Sequence, residues 1–280
     1  MTRVSSMPRV VALFRHPVKG FTPEAVDEFV VQPDGRVTGD RVLAFRFADA
    51  ATPEVRDGLD YWPKSKGLSL QDFPSLAALR LTYDHASARI TISDGEELLV
   101  DAGLDEDGRS ELEAAVTRYA LNSPDAARLN RAGRLPLRLV GDGERARFQD
   151  RAPGYVSVHS TASVSALGDA LPMPIDDRRF RSNIVISGVP AWNELDWTGD
   201  VRIGDVTFRA AGPIVRCLAT HANPDTGVRD APVLKTLTGG VGQAEPTLGR
   251  LLQLRGVSGS VDDDAGEGGV IRIGDDVVAH

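Results

Sequence analysis

Short stretches of alternating apolar and polar residues, separated by tight-turn dipeptides, recur along this 280-residue chain and limit what it can fold into. Alternation with a period of two is typical of β-strands, and Asp-Gly is typical of a two-residue hairpin turn. Four pairs of stretches are predicted to form hairpins: 28–31 with 41–47, 89–93 with 97–100, 201–203 with 206–209, and 271–273 with 277–279. The sequence therefore predicts a protein built mainly from β-strands.

Helical signals are few. Ser110 and Glu113 have the spacing of a capping box, which predicts a helix that begins at Ser110 and ends near Asn122. A second helix is predicted from residue 160 or 161 to Leu171, directly before a proline. We expect these helices at the periphery of an α+β fold, because the strand-rich stretches lie elsewhere.

The segment 122–136 is rich in Pro, Asn, Gly and Arg, which indicates a connection between two halves of the chain. We expect one domain at 1–125 and another at 126–280, each β-barrel-like with helices around it. The Gly- and Asp-rich stretch 256–269 predicts a flexible loop before the last strands.

The balance of 32 basic against 40 acidic residues gives a net charge of −8, and no basic run stands out. Binding to nucleic acid is therefore not expected, although this charge is compatible with a local basic pocket for one small anion. No apolar run approaches the roughly 20 residues that span a bilayer, and no signal peptide is recognisable at the N-terminus. Together with the single cysteine, these features predict a cytoplasmic protein without a membrane span.

Cys217 is the only cysteine, which excludes an internal disulfide and a zinc or iron–sulfur site built on several thiolates. A lone thiolate can still act as a nucleophile, carry a sulfur atom or bind a soft metal held mainly by a cofactor. If 214–220 is a strand, Cys217 shares a face with Val215 and Ala219, which favours an inert buried thiol. The positive charge of Arg216 favours a reactive thiolate instead, so both interpretations stay open.

Two groups of cations are candidates for anion binding. Arg178, Arg179 and Arg181 precede an apolar strand and can clamp a phosphate or carboxylate. The neighbouring Asp176 and Asp177 can equally pair with them on the surface. Lys19 follows the apolar strand 10–14 at a corner where a lysine is either solvated or presented to an anion. The chain lacks H-E-x-x-H, G-x-G-x-x-G, Walker A and G-x-S-x-G motifs, so spacing alone defines no enzyme class.

Several short motifs, taken in chain order, resemble the MOSC family. The matching residues are Pro17-Val-Lys19, Gly39-Asp-Arg41, Arg179-Phe-Arg181 with Asn183-Ile-Val, Trp197, and Arg216-Cys217 with Pro224-Asp-Thr-Gly227. The likeness covers nearly the whole chain and is strongest to proteins in which a MOSC N-terminal β-barrel domain precedes a MOSC domain. That branch includes the amidoxime-reducing components.

The resemblance implies a molybdenum-pterin cofactor. It makes Cys217 the metal ligand and catalytic residue, or alternatively a sulfur-handling thiol; a soft thiolate suits molybdenum. The residues that it assigns to cofactor binding are Lys19, Arg41, Arg181, Asn183 and Arg216. No pyridoxal-phosphate domain, haem or iron–sulfur cluster is expected, so the electrons for catalysis are expected from a separate donor protein.

The function implied is an oxidoreductase that reduces small N-hydroxylated compounds. The alternative is a non-catalytic carrier that holds a sulfur atom or the cofactor on Cys217, and a third possibility is a binding module with an inert thiol. The chain departs from many relatives at three positions: Gly20 stands for a serine, Ser182 for a proline and Ile214 for a second cysteine.

Overall fold

The structure is a computed structural model that describes residues 7–56, 59–62, 64–146, 148, 154–171, 173–256 and 268–279. It is mainly β with few helices, as predicted. Its strands are β1 (Arg9–Arg15), β2 (Glu24–Val26), β3 (Glu28–Val31), β4 (Ala44–Arg46), β5 (Glu54–Arg56), β6 (Leu59–Tyr61), β7 (Leu79–Asp84), β8 (Arg89–Asp94), β9 (Glu97–Gly103), β10 (Arg138–Val140), β11 (Val156–Ser160), β12 (Ile184–Ser187), β13 (Asp200–Ile203), β14 (Val206–Val215), β15 (Thr247–Leu254), β16 (Gly269–Arg272) and β17 (Val277–Ala279). Its α-helices are α1 (Glu106–Asn122), α2 (Ala126–Leu129), α3 (Thr161–Ala170) and α4 (Val233–Lys235).

An eight-stranded sheet in the order β17-β13-β14-β15-β11-β12-β1-β2 is the largest element of the fold. Strands β11 and β12 are parallel, whereas β1 runs antiparallel to β12 with Leu13 opposite Ile184. Because of this antiparallel pairing, the chain that leaves β1 lies beside the chain that enters β12. The Pro17-Val-Lys19 corner and the loop that carries Arg181 therefore lie at the same end of the sheet.

The remaining strands form the three-stranded sheet β7-β8-β9 and the pairs β10-β4, β16-β3 and β5-β6. Among the described residues, no sheet closes on itself, so the barrel-like form expected for each half does not occur there as a closed barrel. None of the described helices has the length and apolar character that crossing a membrane requires.

Two large hydrophobic cores stabilise the fold. One is built around β7, β8, β9 and α1. The other packs between strands of the large sheet and includes Val10, Leu13, Phe29 and Val31 from the start of the chain. Strands on both sides of the predicted domain boundary, at residues 125 and 126, thus share one sheet and one core, and the boundary itself stays a prediction.

Two of the four predicted hairpins are confirmed: β8 pairs with β9, and β13 pairs with β14. The other two pairings are wrong, although strands occur in all four stretches. Strand β3 pairs with β16 and β4 pairs with β10, while β17 pairs with β13. Each of these strands finds its partner far along the chain, so a turn between neighbouring stretches does not decide the pairing.

The helix predicted from Ser110 begins earlier, at Glu106. Asp105 caps it, because its side chain accepts a hydrogen bond from the Gly108 amide at 2.8 Å. The hydroxyl of Ser110 instead donates to the Glu106 carbonyl, so the predicted capping box is wrong. The second helix is confirmed, since Ser160 caps α3. Most of the predicted flexible loop, 257–267, lies outside the described residues.

Leu13 tests whether the first strand belongs to the second core. It is 1% exposed, so we expect Leu13→Ala to lower the free energy of unfolding by about 2–5 kcal/mol, because it leaves a cavity among strands of the C-terminal half. Denaturant unfolding measures the change. Leu98→Ala is the control, since Leu98 is 60% exposed and its loss is expected to cost at most about 0.5 kcal/mol. Equal losses for the two variants would contradict the shared core.

Candidate functional site

A cleft of about 490 Å³ is formed jointly by loops of the two halves of the chain. All six of the site residues predicted from the sequence line it: Lys19, Arg41, Arg181, Asn183, Arg216 and Cys217. The structure therefore brings together side chains that are widely separated in the sequence. Their roles differ, because some of them are committed to hydrogen bonds within the protein.

Backbone hydrogen bonds hold the segments of Lys19 and Arg41 side by side. The Lys19 amide donates to the Leu43 carbonyl at 2.8 Å, and the Arg41 amide donates to the His16 carbonyl at 2.7 Å. The Lys19 ammonium donates to the Phe148 carbonyl at 2.8 Å. The two cations are thus placed next to each other at one wall of the cleft.

Arg41 and Arg181 both have left-handed backbone conformations, with φ of 55° and 52°. This region is unfavourable for a residue with a side chain and is commonly retained at functional sites. The Arg41 guanidinium pairs with the buried Asp40 carboxylate and donates to the Arg181 carbonyl at 3.2 Å. Asp40 also accepts a hydrogen bond from the His16 amide at 2.8 Å. These contacts fix the Arg41 guanidinium at one end of the cleft, and the Arg181 guanidinium is held by a hydrogen bond to the Phe21 carbonyl.

The imidazole of His16 is fully buried close to the same arginines. Burial, followed by the charges of Arg181 and Arg41, lowers the pKa of His16 well below its usual value. The ring is therefore neutral at physiological pH. Positive charge at this end of the cleft comes from arginine and lysine rather than from histidine.

Asn183 lines the cleft, but its amide is used within the scaffold. Its Oδ1 accepts hydrogen bonds from the Ser157 hydroxyl at 2.9 Å and the Ser157 amide at 3.2 Å, and its Nδ2 donates to the Phe14 carbonyl at 3.3 Å. Asn183 thus ties β11 and the end of β1 to the loop that enters β12. This arrangement makes Asn183 a positioning residue, and its predicted contact with a cofactor stays a prediction.

A strand over 214–220, the condition for an inert buried thiol, does not form, because β14 ends at Val215. Cys217 instead precedes the tight 3-10 turn Leu218–His221, and its carbonyl accepts hydrogen bonds from the amide and hydroxyl of Thr220 at 3.1 and 3.0 Å. The thiol is half-buried and lines the cleft. A position in the core, on which the interpretation of an inert buried thiol depended, is thereby excluded.

The Arg216 side chain ties the cysteine segment to two neighbouring segments. Its Nε donates to the Leu248 carbonyl and its Nη1 to the Phe180 carbonyl, both at 2.7 Å. Burial lowers the pKa of Arg216 to about 9, while the neighbouring Cys217 and Glu194 act in the opposite direction. Arg216 therefore remains cationic at neutral pH. Its bond to Phe180 connects the cysteine segment directly to the segment of Arg181.

The arginine run divides between the two alternatives that the sequence left open. Arg178 pairs with Asp176, as the surface interpretation predicts, with Nε 2.9 Å from Oδ2. Arg179 is buried and pairs with Asp230 at 2.7 Å. Arg179 and Arg181 both line the cleft. Because the guanidinium of Arg179 is paired with Asp230, Arg181 is the member of the run that best fits the predicted anion clamp.

The sequence left one wall of the cleft unassigned, although 62–70 was among three loops considered for it, with 22–25 and 239–249. It is formed by Ser65, Ser69, Leu70, Gln71 and Asp72 of the N-terminal half. These residues show no periodicity or motif, and only the packing of the two halves reveals their position. Gly20, at the edge of the cleft, has φ of +86°, and an added Cβ would lie 3.1 Å from the Leu68 carbonyl. A glycine is therefore the residue that this backbone accommodates without strain.

The donor set fits an anionic cofactor with a soft metal. Lys19, Arg41 and Arg181 supply cations at one end, and Cys217 supplies a thiol. Within the described ranges, no cluster of three or more His, Cys, Asp or Glu side chains is arranged to hold a metal ion. A metal at Cys217 would therefore take its other ligands from the cofactor itself.

Comparison with known families identifies the family to which the chain belongs. The family model for the MOSC domain matches residues 145–278, and the model for the MOSC N-terminal beta barrel domain matches residues 7–129. The chain belongs to the MOSC family, in the architecture with both domains.

The similar proteins include two that are named for related functions. Mitochondrial amidoxime-reducing component 1 of Mus musculus is 37% identical over 87 residues, which is 31% of this chain and 25% of that protein. Molybdenum cofactor sulfurase of Drosophila grimshawi is 46% identical over 77 residues, or 27% of this chain and 10% of that protein. The matched segments thus span a quarter or less of these relatives. The YUAD protein of Bacillus subtilis covers 97% of this chain and 94% of its own at 10% identity, but its TM-score of 0.37 is too low to support the assignment.

Asn183 gives a test of the scaffold that is independent of any cofactor. We expect Asn183→Ala to lower the free energy of unfolding by roughly 2–4 kcal/mol, because it leaves polar groups of Ser157 and Phe14 unsatisfied in two strands. Chemical denaturation measures the loss. Lys19→Ala serves as the comparison, and a smaller loss is expected there; equal effects would contradict the division between positioning and cleft-facing residues.

His159 gives the structure a dependence on pH. It is buried on β11, its ring is 5.8 Å from that of Phe180, and burial followed by the charge of Arg216 lowers the pKa of His159 to about 3. The unfolded chain takes up this proton near pH 6.5, whereas the folded chain does not. The contribution of His159 to stability is therefore complete above pH 6.5 and is lost as the pH falls towards 3.

We expect His159→Gln to reduce the acid sensitivity of folding. Between pH 6 and 5, the slope of the unfolding free energy against pH should become shallower by about 1 kcal/mol per pH unit. Denaturant titrations at several pH values measure it. His16 and His85 are unchanged in this variant, and because their pKa values are also lowered, part of the slope should remain. An unaltered slope would show that His159 titrates normally.

Proposed function

We propose that this protein is a molybdenum-cofactor-binding oxidoreductase that reduces small N-hydroxylated compounds with electrons from a separate reductase. One observation carries the proposal: three cations and the single thiol of the chain, all from distant segments, line the same cleft. Membership of the MOSC family and the names of the similar proteins support it.

Lys19, Arg41 and Arg181 would hold the phosphate and pterin of the cofactor. Guanidinium groups bind phosphate through paired hydrogen bonds, and a nearby ammonium adds a further charge. This local concentration of positive charge is compatible with the overall charge of −8. Because Asp40 and the backbone partners hold these residues in place, little side-chain ordering is required when the anion binds.

Cys217 would supply the protein ligand to the metal. When bound, the molybdenum centre supplies two-electron redox chemistry that no side chain here can provide. The overall reaction breaks the N–O bond of the substrate, consumes two electrons and two protons, and releases water. The 3-10 turn after Cys217 and the Arg216 side chain keep the thiol at a defined place in the cleft. The wall 65–72 comes from the N-terminal half of the chain, whereas Cys217 comes from the C-terminal half. Residues of this wall would contact the substrate.

The metal content of the purified protein tests this proposal. In a host that makes the cofactor, we expect near-stoichiometric molybdenum and pterin in the native chain and a marked loss of molybdenum in Cys217→Ala. Reduction of an N-hydroxylated compound with an artificial electron donor should be abolished in the variant. The free energy of unfolding should change by about 1 kcal/mol or less, because the thiol is only half-buried.

Arg255→Ala is a suitable control, because Arg255 pairs with Asp200 on the surface and does not line the cleft. It should retain both metal and turnover. Normal turnover by Cys217→Ala with molybdenum retained would refute the role of the thiol.

The alternative is a non-catalytic carrier of a sulfur atom or of the cofactor. It is favoured by the accessibility of the half-buried thiol and by the similarity to a protein named molybdenum cofactor sulfurase. A carrier would bind sulfur or cofactor stoichiometrically without reducing N-hydroxylated compounds. The same experiment therefore separates the two functions, with mass analysis for a persulfide on Cys217 as its second measurement.

A further inference from the structure

The turn Asn223-Pro-Asp-Thr-Gly227 follows the cysteine segment but contributes no residue to the lining of the cleft. Its shape is set internally. The Asn223 side chain accepts hydrogen bonds from the amides of Asp225 and Thr226 at 2.8 and 3.2 Å, and the Gly227 amide donates to the Asn223 carbonyl at 2.9 Å. Such a turn presents the Asp225 carboxylate on a fixed backbone.

Asp225 connects two segments that are distant in the sequence. Its Oδ1 and Oδ2 accept hydrogen bonds from Arg178 at 3.2 and 3.0 Å, and its Oδ1 also accepts one from Arg80 at 2.6 Å. Arg80 additionally donates to the Pro224 carbonyl at 3.1 Å. Arg178 lies directly before the cleft segment of Arg181. Arg80 belongs to β7, in the part of the fold built on the core of β7, β8, β9 and α1.

The turn also packs closely on the N-terminal half. Gly227 has φ of +69°, and an added Cβ would lie 2.7 Å from the Cα of Ser75. Only a glycine permits this approach. Arg229 donates to the carbonyl of Gln71. Gln71 belongs to the cleft wall 65–72, which the N-terminal half contributes.

A second set of contacts joins the same region to the arginine run. Arg179 pairs with Asp230 at 2.7 Å and donates to the His221 carbonyl at 3.0 Å. The side-chain Nδ2 of Asn223 donates to the other oxygen of Asp230 at 2.7 Å. His221 ends the 3-10 turn that begins after Cys217, so these bonds reach the thiol segment directly.

We propose that the turn 223–227 is a clasp that sets the distance between the thiol of Cys217 and the guanidinium of Arg181, with Asp225 as its positioning residue. A single exposed ion pair contributes little to stability. Here, however, arginines from two segments share one carboxylate, so the positions of the three side chains depend on one another. The inference deepens the proposed function and rests on it only in taking Cys217 and Arg181 as the working groups of the cleft.

Asp225→Asn tests the clasp in cofactor-free protein, since it removes the charge and keeps the size of the side chain. Two measurements report on the two ends of the cleft: the rate at which iodoacetamide alkylates the single cysteine, and the binding of inorganic pyrophosphate by calorimetry. We expect the alkylation rate and the dissociation constant for pyrophosphate each to rise about fivefold, because both segments gain freedom to move.

Asp200→Asn is the matched control. Asp200 forms an ion pair with Arg255 at 2.7 Å, as Asp225 does with Arg80 at 2.6 Å, and all four side chains are partly exposed. The control removes a single exposed ion pair, and it should leave both measurements within about twofold of the native values. Equal behaviour of the two variants would overturn the clasp.

The route through Arg178 is tested by a double variant. If Asp225 acts through Arg178, then Asp225→Asn combined with Arg178→Gln should change the alkylation rate no more than the larger single effect. Additive effects would overturn that route.

Failure of the clasp and failure of the proposed function are distinguishable. A native chain that binds neither pyrophosphate nor molybdenum would contradict the proposed function, while the alkylation rates would still decide on the clasp. If Asp225→Asn does not fold, Arg80→Gln removes one of its two arginine partners and is judged by the same measurements.

Discussion

The antiparallel pairing of β1 with β12 is the interaction on which the site depends. It fixes the end of β1 beside the start of β12, so that the Pro17-Val-Lys19 corner meets the loop of Arg181 and Asn183. The amide of Phe14 donates to the Asn183 carbonyl at 2.8 Å and extends this contact beyond the strands. Arg41 is then added through its hydrogen bond to the His16 carbonyl. One strand pair thus unites three segments that the sequence keeps apart.

Some residues around the cleft present a charge or a thiol to its interior. Others hold the cleft loops in place through hydrogen bonds to the scaffold. Asn183 and Arg216 line the cleft, yet most of their polar atoms bond to the backbone or to Ser157. Arg179 is similarly committed to Asp230. Buried guanidinium groups can bond several carbonyls at once because their donors diverge in a plane. They are therefore suited to joining loops that no sheet connects.

Local features were predictable from the sequence, and distant pairings were not. The hairpins β8-β9 and β13-β14 follow from a turn between adjacent stretches, and the start of α3 was predicted to within one residue. Strands β3 and β4 carry the same alternation whichever partner they choose, so nothing in their own residues indicates β16 or β10. The earlier start of α1 was missed because Asp105 and Ser110 are both competent caps.

The site shows the same limit. Family resemblance named six residues that all line one cleft, because short motifs record residue type and order. It did not reveal that Asn183 and Arg216 are bonded to the scaffold, since residue type does not indicate which atoms are already satisfied. The residues of the wall 65–72 were not assigned to the cleft for a different reason. They face the cleft through the packing of one half on the other, which leaves no periodic trace in the sequence.

The left-handed backbone of Arg41 and Arg181 has a consequence for how this protein can change over time. Replacement by glycine at either position would relieve strain of about 1 kcal/mol or more while removing a guanidinium from the cleft. Substitutions that favoured thermal stability alone would therefore remove positive charge from the cleft.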